Sequence, residues 1–483
     1  MDADIDCGGA AASHRTAQSL SAGWRELCSR YLPVAPPDSI WRYSRVRSPL
    51  DPDQGWKLHV SATVLNANRV LERVGTELRS RGVLFKAPAS LRELNKLSSG
   101  LFYGYTQVGK FLTIYPRTGE EAVSLAELLH GLTRGMAAPA VPFDLRYRKD
   151  GCVYYRYGAF THQEIRNGDG TSTLALRDPA GRLVPDSRES WGSKPEWVSD
   201  PFAGARDADE PATAVSPLKT TYRVFRALQQ RGKGGVYQAV DLSVKPPRLC
   251  ILKEGRRHGE PWWDGRDGYW RVKDERKNLR VLRAAGIEVP CVYSSFEVEG
   301  HFYLVTEFVE GYSLDDLLGR RQRRLPVRRA LQLARQVCNL VARMHKAGWV
   351  WRDCKPSNLL VTRGGTLRPL DFEGACRRGR RNPLPWVTPS FAPPEVLGDA
   401  PARAGESEDL YALGVLTYYL LTGSLPPAAD AAQLRKLRRN VPADVCRLVS
   451  RLLDPNPLRR PRASTVARRL GAACRLLEPV ATA

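Results

Sequence analysis

At 483 residues the chain is too long for one ordinary domain, and its 42% hydrophobic and 26% charged residues exclude a collagen-like, wholly disordered or polytopic membrane protein. The net charge of +23 is uneven, with 26 basic and 22 acidic side chains in residues 1 to 200 but 48 and 29 in residues 201 to 483. Such a basic half favours an anionic partner, and without an RNP signature, zinc-finger spacing or a basic zipper that partner is not expected to be nucleic acid.

Taken in chain order, the start MDADIDCGG is acidic and polar and is no signal peptide, and residues 1 to 20 read as a loose N-terminus. The ten cysteines form no CxxC and stand at least sixteen residues apart, which reads as reduced thiols in a cytoplasmic protein. Residues 21 to 162 alternate strand-like and helix-like runs. WKLHVSATV at 56 to 64, VLFKA at 83 to 87, KFLTIYP at 110 to 116 and VYYRYG at 153 to 158 predict strands, while ANRVLERVGTELRSRG at 67 to 82 and EEAVSLAELLHGL at 120 to 132 predict helices. Residues 163 to 216, with NGDGTS and ARDADEPA, predict a linker with some local order. From 217 to 480 a strand-rich stretch gives way after about 312 to helical sequence, so the fold class is α+β in two domains. The longest apolar run, about 14 residues around 410 to 423, is too short to span a bilayer and predicts a buried core helix.

The first domain gathers cations around an imidazole. Lys57 and His59 lie two apart on one strand and so share a face; Lys86 ends another strand, Lys110 opens a third, and Arg146 and Arg156 flank the last. That set suits removal of phosphate by β-elimination, which needs a base for the Cα proton, positive charge for the dianion and an acid for the leaving oxygen. On WKLHVSAT, VLFK, GKFLTIYP and YYRYG, residues 24 to 160 resemble the phosphothreonine lyase domain of class III and class IV lanthipeptide synthetases. The resemblance implies His59 as general acid, Lys86 as general base, Lys57, Arg146 and Arg156 as phosphate ligands and Lys110 as a further one. Lys57 and Lys86 could exchange roles.

In the second domain a lysine interrupts the β-run LCILKEG at 249 to 255, WRDCKPSNLLV occupies 351 to 361, and PLDFEGA occupies 369 to 375. Phosphoryl transfer needs a carboxylate at the attacking hydroxyl, carboxylate and amide ligands for Mg²⁺, and a lysine for nucleotide phosphates, which Asp353, Asp371, Asn358 and Lys253 supply. Residues 221 to 480 resemble the protein kinase fold. The resemblance implies Asp353 as catalytic base, Lys355 near the transferred phosphate, Asn358 and Asp371 on Mg²⁺, and backbone groups from Glu307 to Val309 against the purine of ATP or GTP. In QQRGKGGVYQA, Gly234 and Val236 match the end of the glycine-rich loop, whereas Gln229 and Arg231 stand at its earlier glycine positions. Trp351 replaces the usual His before Arg352, and Glu373 replaces the Gly of DFG. The helix partner of Lys253 is Glu275, or Asn278 in a second register. Glu395 should pair with Arg460, and Asp409 should be buried. Between Phe372 and Thr388 no Ser, Thr or Tyr occurs, so Arg377, Arg378, Arg380 and Arg381 would meet an acidic or phosphorylated substrate instead of a loop phosphate.

Installing a phosphate and then expelling it dehydrates a hydroxyl side chain. The chain therefore resembles the cyclase-lacking kinase-lyase form of class III lanthipeptide synthetase associated with avionin-containing lipolanthines, because it stops about 20 residues after RRP without the family's cyclase domain. That implies a precursor peptide with leader and core, dehydroalanine and dehydrobutyrine as products, and a separate decarboxylase or cyclase for ring closure. A regulatory Ser/Thr kinase with an N-terminal sensor domain, or a non-catalytic peptide-binding scaffold, are the other readings.

Overall fold

The computed structural model describes residues 10–186, 194–205, 216–319, 324–381, 383–384, 386, 388–397, 403–426 and 433–477. The first domain opens on α1 (Ala10–Tyr31) and continues through β1 (Trp41–Tyr43), β2 (Gln54–Val60), α2 (Ala67–Ser80), β3 (Leu84–Pro88), α3 (Leu91–Ser99), β4 (Leu112–Tyr115), α4 (Gly119–Thr133), β5 (Leu145–Arg146) and β6 (Val153–Ala159). Its strands form an antiparallel six-stranded sheet in the order β1-β3-β4-β2-β6-β5. Alternation decides its two faces. Leu58, Val60, Phe85, Ile114, Val153 and Tyr155 point to one side and are buried in a core with Val70, Leu71, Val74 and Leu78 of α2 and Leu125 and Leu129 of α4. The intervening residues, His59 among them, form the opposite face.

Two boundaries differ from the expectation. Residues 10 to 20, read as loose, begin α1, and the cluster that holds Trp24 and Leu27 fixes that helix to the core. The segment read as a linker with some local order has more order than that reading gave it, folding in part into β7 (Glu164–Arg166), β8 (Ser172–Arg177) and β9 (Leu183–Pro185), a small antiparallel sheet. Phe202 is fully buried and stacks on Tyr155 at 3.9 Å between ring centres, so this stretch closes the first core; ARDADEPA lies outside the described residues except for Ala205. The physical reason is that a single aromatic anchor and three short strands leave little periodicity in a Gly- and Pro-rich background.

After α5 (Pro217–Thr220), the second domain has two lobes. The strands β10 (Tyr222–Arg231), β11 (Gly234–Asp241), β12 (Arg248–Gly255), β13 (Val292–Val298) and β14 (His301–Glu307) form an antiparallel sheet ordered β10-β11-β12-β14-β13, with α6 (Gly268–Ala284) packed on it. The larger lobe contains β15 (Tyr312–Ser313), α7 (Leu314–Gly319), α8 (Val327–Lys346), β16 (Trp349–Val350), β17 (Leu359–Val361), β18 (Leu367–Pro369), β19 (Cys376–Arg377), α9 (Pro394–Leu397), α10 (Glu406–Thr422), α11 (Gln433–Leu437), α12 (Ala443–Leu452) and α13 (Ala463–Leu476). The run around 410 to 423 is α10, buried on nearly every side as an all-round apolar helix must be. The fold is thus α+β in two domains. Among the described residues no helix is long and apolar enough to cross a membrane, and no disulfide joins the cysteines.

Candidate active sites in two domains

In the second domain, β12 delivers Lys253 and α6 delivers Glu275; their Nζ and Oε1 stand 2.6 Å apart. Asn278, one helical turn further on, donates instead to the carbonyl of Ala375 at 2.9 Å, which separates the two registers. Lys253 also lies 3.2 Å from Asp371. Burial alone would lower the Lys253 pKa, but Asp371 and Glu275 raise it above the ordinary range and keep the ammonium charged. Burial pushes Asp371 upward, yet Lys253, Lys233 and Lys355 together bring it below the ordinary carboxylate range. Gly234 begins β11 where an added Cβ would fall 1.7 Å from the Glu254 carbonyl, so this close approach requires glycine, and Val236 lies laterally beside Lys253. Glu307 ends β14 and its carboxylate meets Arg368 at 3.0 Å, tying the connection between lobes to β18, while Val309 is buried beside it.

The loop after β16 carries Asp353, Lys355 and Asn358. Asp353 accepts from Asn358 Nδ2 at 2.6 Å, from Lys355 Nζ at 2.9 Å and from the Thr388 hydroxyl at 3.0 Å. Its burial raises the carboxyl pKa against the opposing pull of Lys355. Asp409, fully buried on α10, accepts the backbone N–H groups of Trp351 and Arg352 at 2.9 and 2.7 Å and so anchors the loop. Arg352 and Asp371 both adopt left-handed backbone, at φ of 68° and 58°, a conformation unfavourable for such side chains that this network maintains. Glu395 and Arg460 form the expected ion pair at 2.9 Å.

Trp351 also accounts for its own departure from the usual His. Its Nε1 donates to the Asp371 carbonyl at 2.9 Å, and its ring stacks on Phe372 at 5.5 Å. Trp351→Phe should retain the stack and lose the hydrogen bond, reducing stability by about 1 kcal/mol, whereas Trp351→Ala should lose about 3–5 kcal/mol. Urea denaturation of the two variants checks this; equal losses would contradict the separate role of the indole N–H. Of the activation-segment arginines, Arg378 pairs with Glu406, Arg377 lies over Trp349 at 4.8 Å and Arg380 reaches Asp274 at 3.4 Å, so these three have partners within the chain.

In the first domain a single lateral row crosses all six strands: Tyr43, Lys86, Thr113, His59, Tyr154 and Arg146 are successive cross-strand partners. Lateral partners share a face, so Lys86 and His59 project to the same side with β4 between them. Lys57 and Arg156 are paired two residues along the same two strands and join that face. Lys57 and Lys86 are half-buried, and the Lys86 ammonium stands 4.2 Å from the centre of the Trp41 ring.

Two carboxylates that sequence reasoning missed organise this face. Asp144 lies 2.5 Å from His59 Nδ1 and 3.3 Å from Lys110 Nζ, and all three side chains are buried. Asp186 holds Arg156 Nη2 at 2.6 Å, again in a buried pair. Arg146 is displaced to the exposed sheet edge, where it donates to the Tyr154 hydroxyl at 2.9 Å and the Lys149 carbonyl at 2.7 Å. It lies in the row with His59 but two strands away, about 10 Å between backbones.

Burial, with Lys110 and Lys57 nearby, brings His59 down to about 3 despite the upward pull of Asp144, so the resting imidazole is neutral. Asp144 is brought to about 2 by His59 and Lys110 against its own burial, so it stays ionised. Because the unfolded imidazole takes a proton near 6.5 and the folded one near 3, stability falls as pH drops through that interval. By pH 5 the loss from His59 should reach about 2 kcal/mol, in a window where Asp144 does not titrate. His59→Gln should reduce the acid sensitivity of the urea midpoint between pH 7.5 and 5; identical sensitivity in both proteins would contradict a neutral His59.

Comparison with known proteins matches each domain to a family. Residues 33–214 match the family described as the RamC N-terminal domain, and residues 233–469 match the protein kinase domain. Probable SapB synthase of Streptomyces coelicolor is 33% identical over 427 residues, which are 85% of this chain and 44% of that protein. The serine/threonine-protein kinases PknL and PknA of Mycobacterium tuberculosis are 30% and 28% identical over 260 and 264 residues, covering 53% and 51% of this chain and 61% and 59% of those proteins. This chain therefore spans less than half the length of the synthase and about three fifths of the kinases.

Proposed function

Because this chain belongs to the proteins that join a RamC N-terminal domain to a protein kinase domain, we propose that it dehydrates Ser and Thr of a precursor peptide by phosphorylation followed by elimination. The observation that supports this most is the shared face of Lys86, His59, Lys57 and Arg156 in a chain that also carries the Asp353 and Asp371 centre. In the kinase centre, Asp353 orients the peptide hydroxyl and accepts its proton, with Lys355 beside it to meet the transferred phosphate. Asp371 and Asn358 form a carboxylate and amide donor set of the kind Mg²⁺ takes, and the Asn358 amide nitrogen is turned to Asp353, leaving its carbonyl oxygen for the cation. When bound, Mg²⁺ neutralises charge on the nucleotide phosphates, here of ATP or GTP.

Elimination then follows on the sheet face. Lys86, acting as the free amine, takes the Cα proton and becomes an ammonium, the electron pair forms the double bond to Cβ, and the Cβ–O bond breaks with phosphate as leaving group. Lys57 and Arg156 hold its charge, and Lys110 contributes through Asp144. Asp144 accepts Nδ1–H of His59, so Nε2 is the ring nitrogen that faces substrate. Arrival of a phosphate dianion raises the His59 pKa from its resting value, so that it can carry and deliver the proton to the departing oxygen. Ring closure would need a further domain or protein with cyclase or decarboxylase chemistry.

Incubation of the chain with its precursor peptide, Mg²⁺ and nucleotide tests the reading by mass spectrometry. Peptide that loses water at each modified residue supports it. Stable gain of phosphate would instead identify a regulatory kinase, and unchanged peptide a scaffold.

A further inference from the structure

The turn between β10 and β11 is only two residues long, Gly232 and Lys233, because Arg231 and Gly234 already pair. Its backbone is held on three sides. Gly232 N–H donates to the Ser99 carbonyl at the end of α3 at 3.0 Å, and Arg256 N–H donates to the Lys233 carbonyl at 2.8 Å. At the start of α6, a Cβ on Gly268 would fall 1.9 Å from that same carbonyl. The turn is therefore wedged between the first domain and α6, and its side chain has a fixed origin.

From there Lys233 crosses to the larger lobe, where its ammonium pairs with the Glu373 carboxylate and stands 4.9 Å from the centre of the Trp386 ring. Glu373 is buried, with Arg271 3.7 Å from its Oε1. Two departures from the kinase pattern thus meet: the glycine-poor loop supplies a lysine, and the altered DFG supplies its carboxylate. We propose that Lys233 is a second phosphate-binding lysine, which exchanges Glu373 for the terminal phosphates of the nucleotide and replaces backbone contacts that Gln229 and Arg231 make less favourable. An ammonium at the loop tip adds a second positive charge to that of Lys253, and an ion pair is readily exchanged for a doubly charged phosphate. The downward pull of Lys233 on Asp371 places it within electrostatic reach of the same site. Glu373 then acts as a positioning residue that keeps the side chain across the cleft.

This rests on the kinase reading, and calorimetry separates the two. The full chain is titrated with Mg²⁺ and a non-hydrolysable ATP analogue, and in parallel with adenosine. Lys233→Ala should weaken the triphosphate by about 10- to 100-fold and leave adenosine unchanged, which also controls for folding. Lys233→Arg should recover most of the loss. Unaltered triphosphate affinity in Lys233→Ala, or equal weakening of both ligands, would reduce Lys233 to a lobe clamp and overturn the proposal. If the unmutated chain bound no triphosphate, the kinase reading would fall and this proposal with it.

Discussion

Lys86→Ala should leave phosphorylation intact and stop elimination, so that phosphopeptide accumulates where the unmutated chain should release dehydrated peptide. Lys86 and His59 are on one face, separated by the strand that carries Thr113. Two strand spacings put about 10 Å between their backbones, a gap in which a phosphorylated side chain can present its Cα proton to one and its leaving oxygen to the other. Removing a general base lowers rates by about 10²- to 10⁴-fold. The kinase groups occupy different elements, so their chemistry should persist. Lys57→Ala resolves the exchangeable lysine roles: loss of phosphate contacts should weaken binding of phosphopeptide, whereas loss of the base should abolish its conversion. Dehydration by Lys86→Ala at the parent rate, followed by mass spectrometry over time, would contradict the assignment of the base.

The opposite block should come from Asp353→Asn or Asp371→Asn, each of which should return unmodified peptide. Both substitutions preserve shape and remove charge. Asp353 is the common acceptor of Lys355, Asn358 and Thr388, and Asp371 balances Lys253. Phosphate transfer should fall by at least about 10²-fold, measured with radiolabelled nucleotide. A phosphopeptide supplied to the same variants should still be eliminated, since the sheet face is unaltered. Loss of both reactions together would contradict two separable centres.

The grouping around Asp353 was readable because its residues are close in sequence. Asp353, Lys355 and Asn358 fall within six residues, and the loop that spaces them is short enough for residue order to imply geometry. The pair of Lys253 with either Glu275 or Asn278 was ambiguous because residues three apart share a helix face, and only the packed orientation of α6 separates them. The sheet face was half readable. Period two put Lys57 with His59, but the row that joins Lys86 to His59 depends on strand order, with β4 inserted between β3 and β2. Asp144 was missed because it stands in an irregular stretch before a two-residue strand, and Asp186 because it follows short strands in a Gly- and Pro-rich region. Neither carboxylate has a periodic neighbour to announce it. Each becomes evident only as the buried counter-charge of a cation already noticed, His59 with Lys110 in one case and Arg156 in the other.

The most direct measurement supplies the full chain with a synthetic phosphoserine form of its peptide and no nucleotide. Elimination on the sheet face predicts release of inorganic phosphate together with a dehydroalanine-containing peptide, and loss of both products in Lys86→Ala. Recovery of intact phosphoserine peptide from the unmutated chain would contradict it.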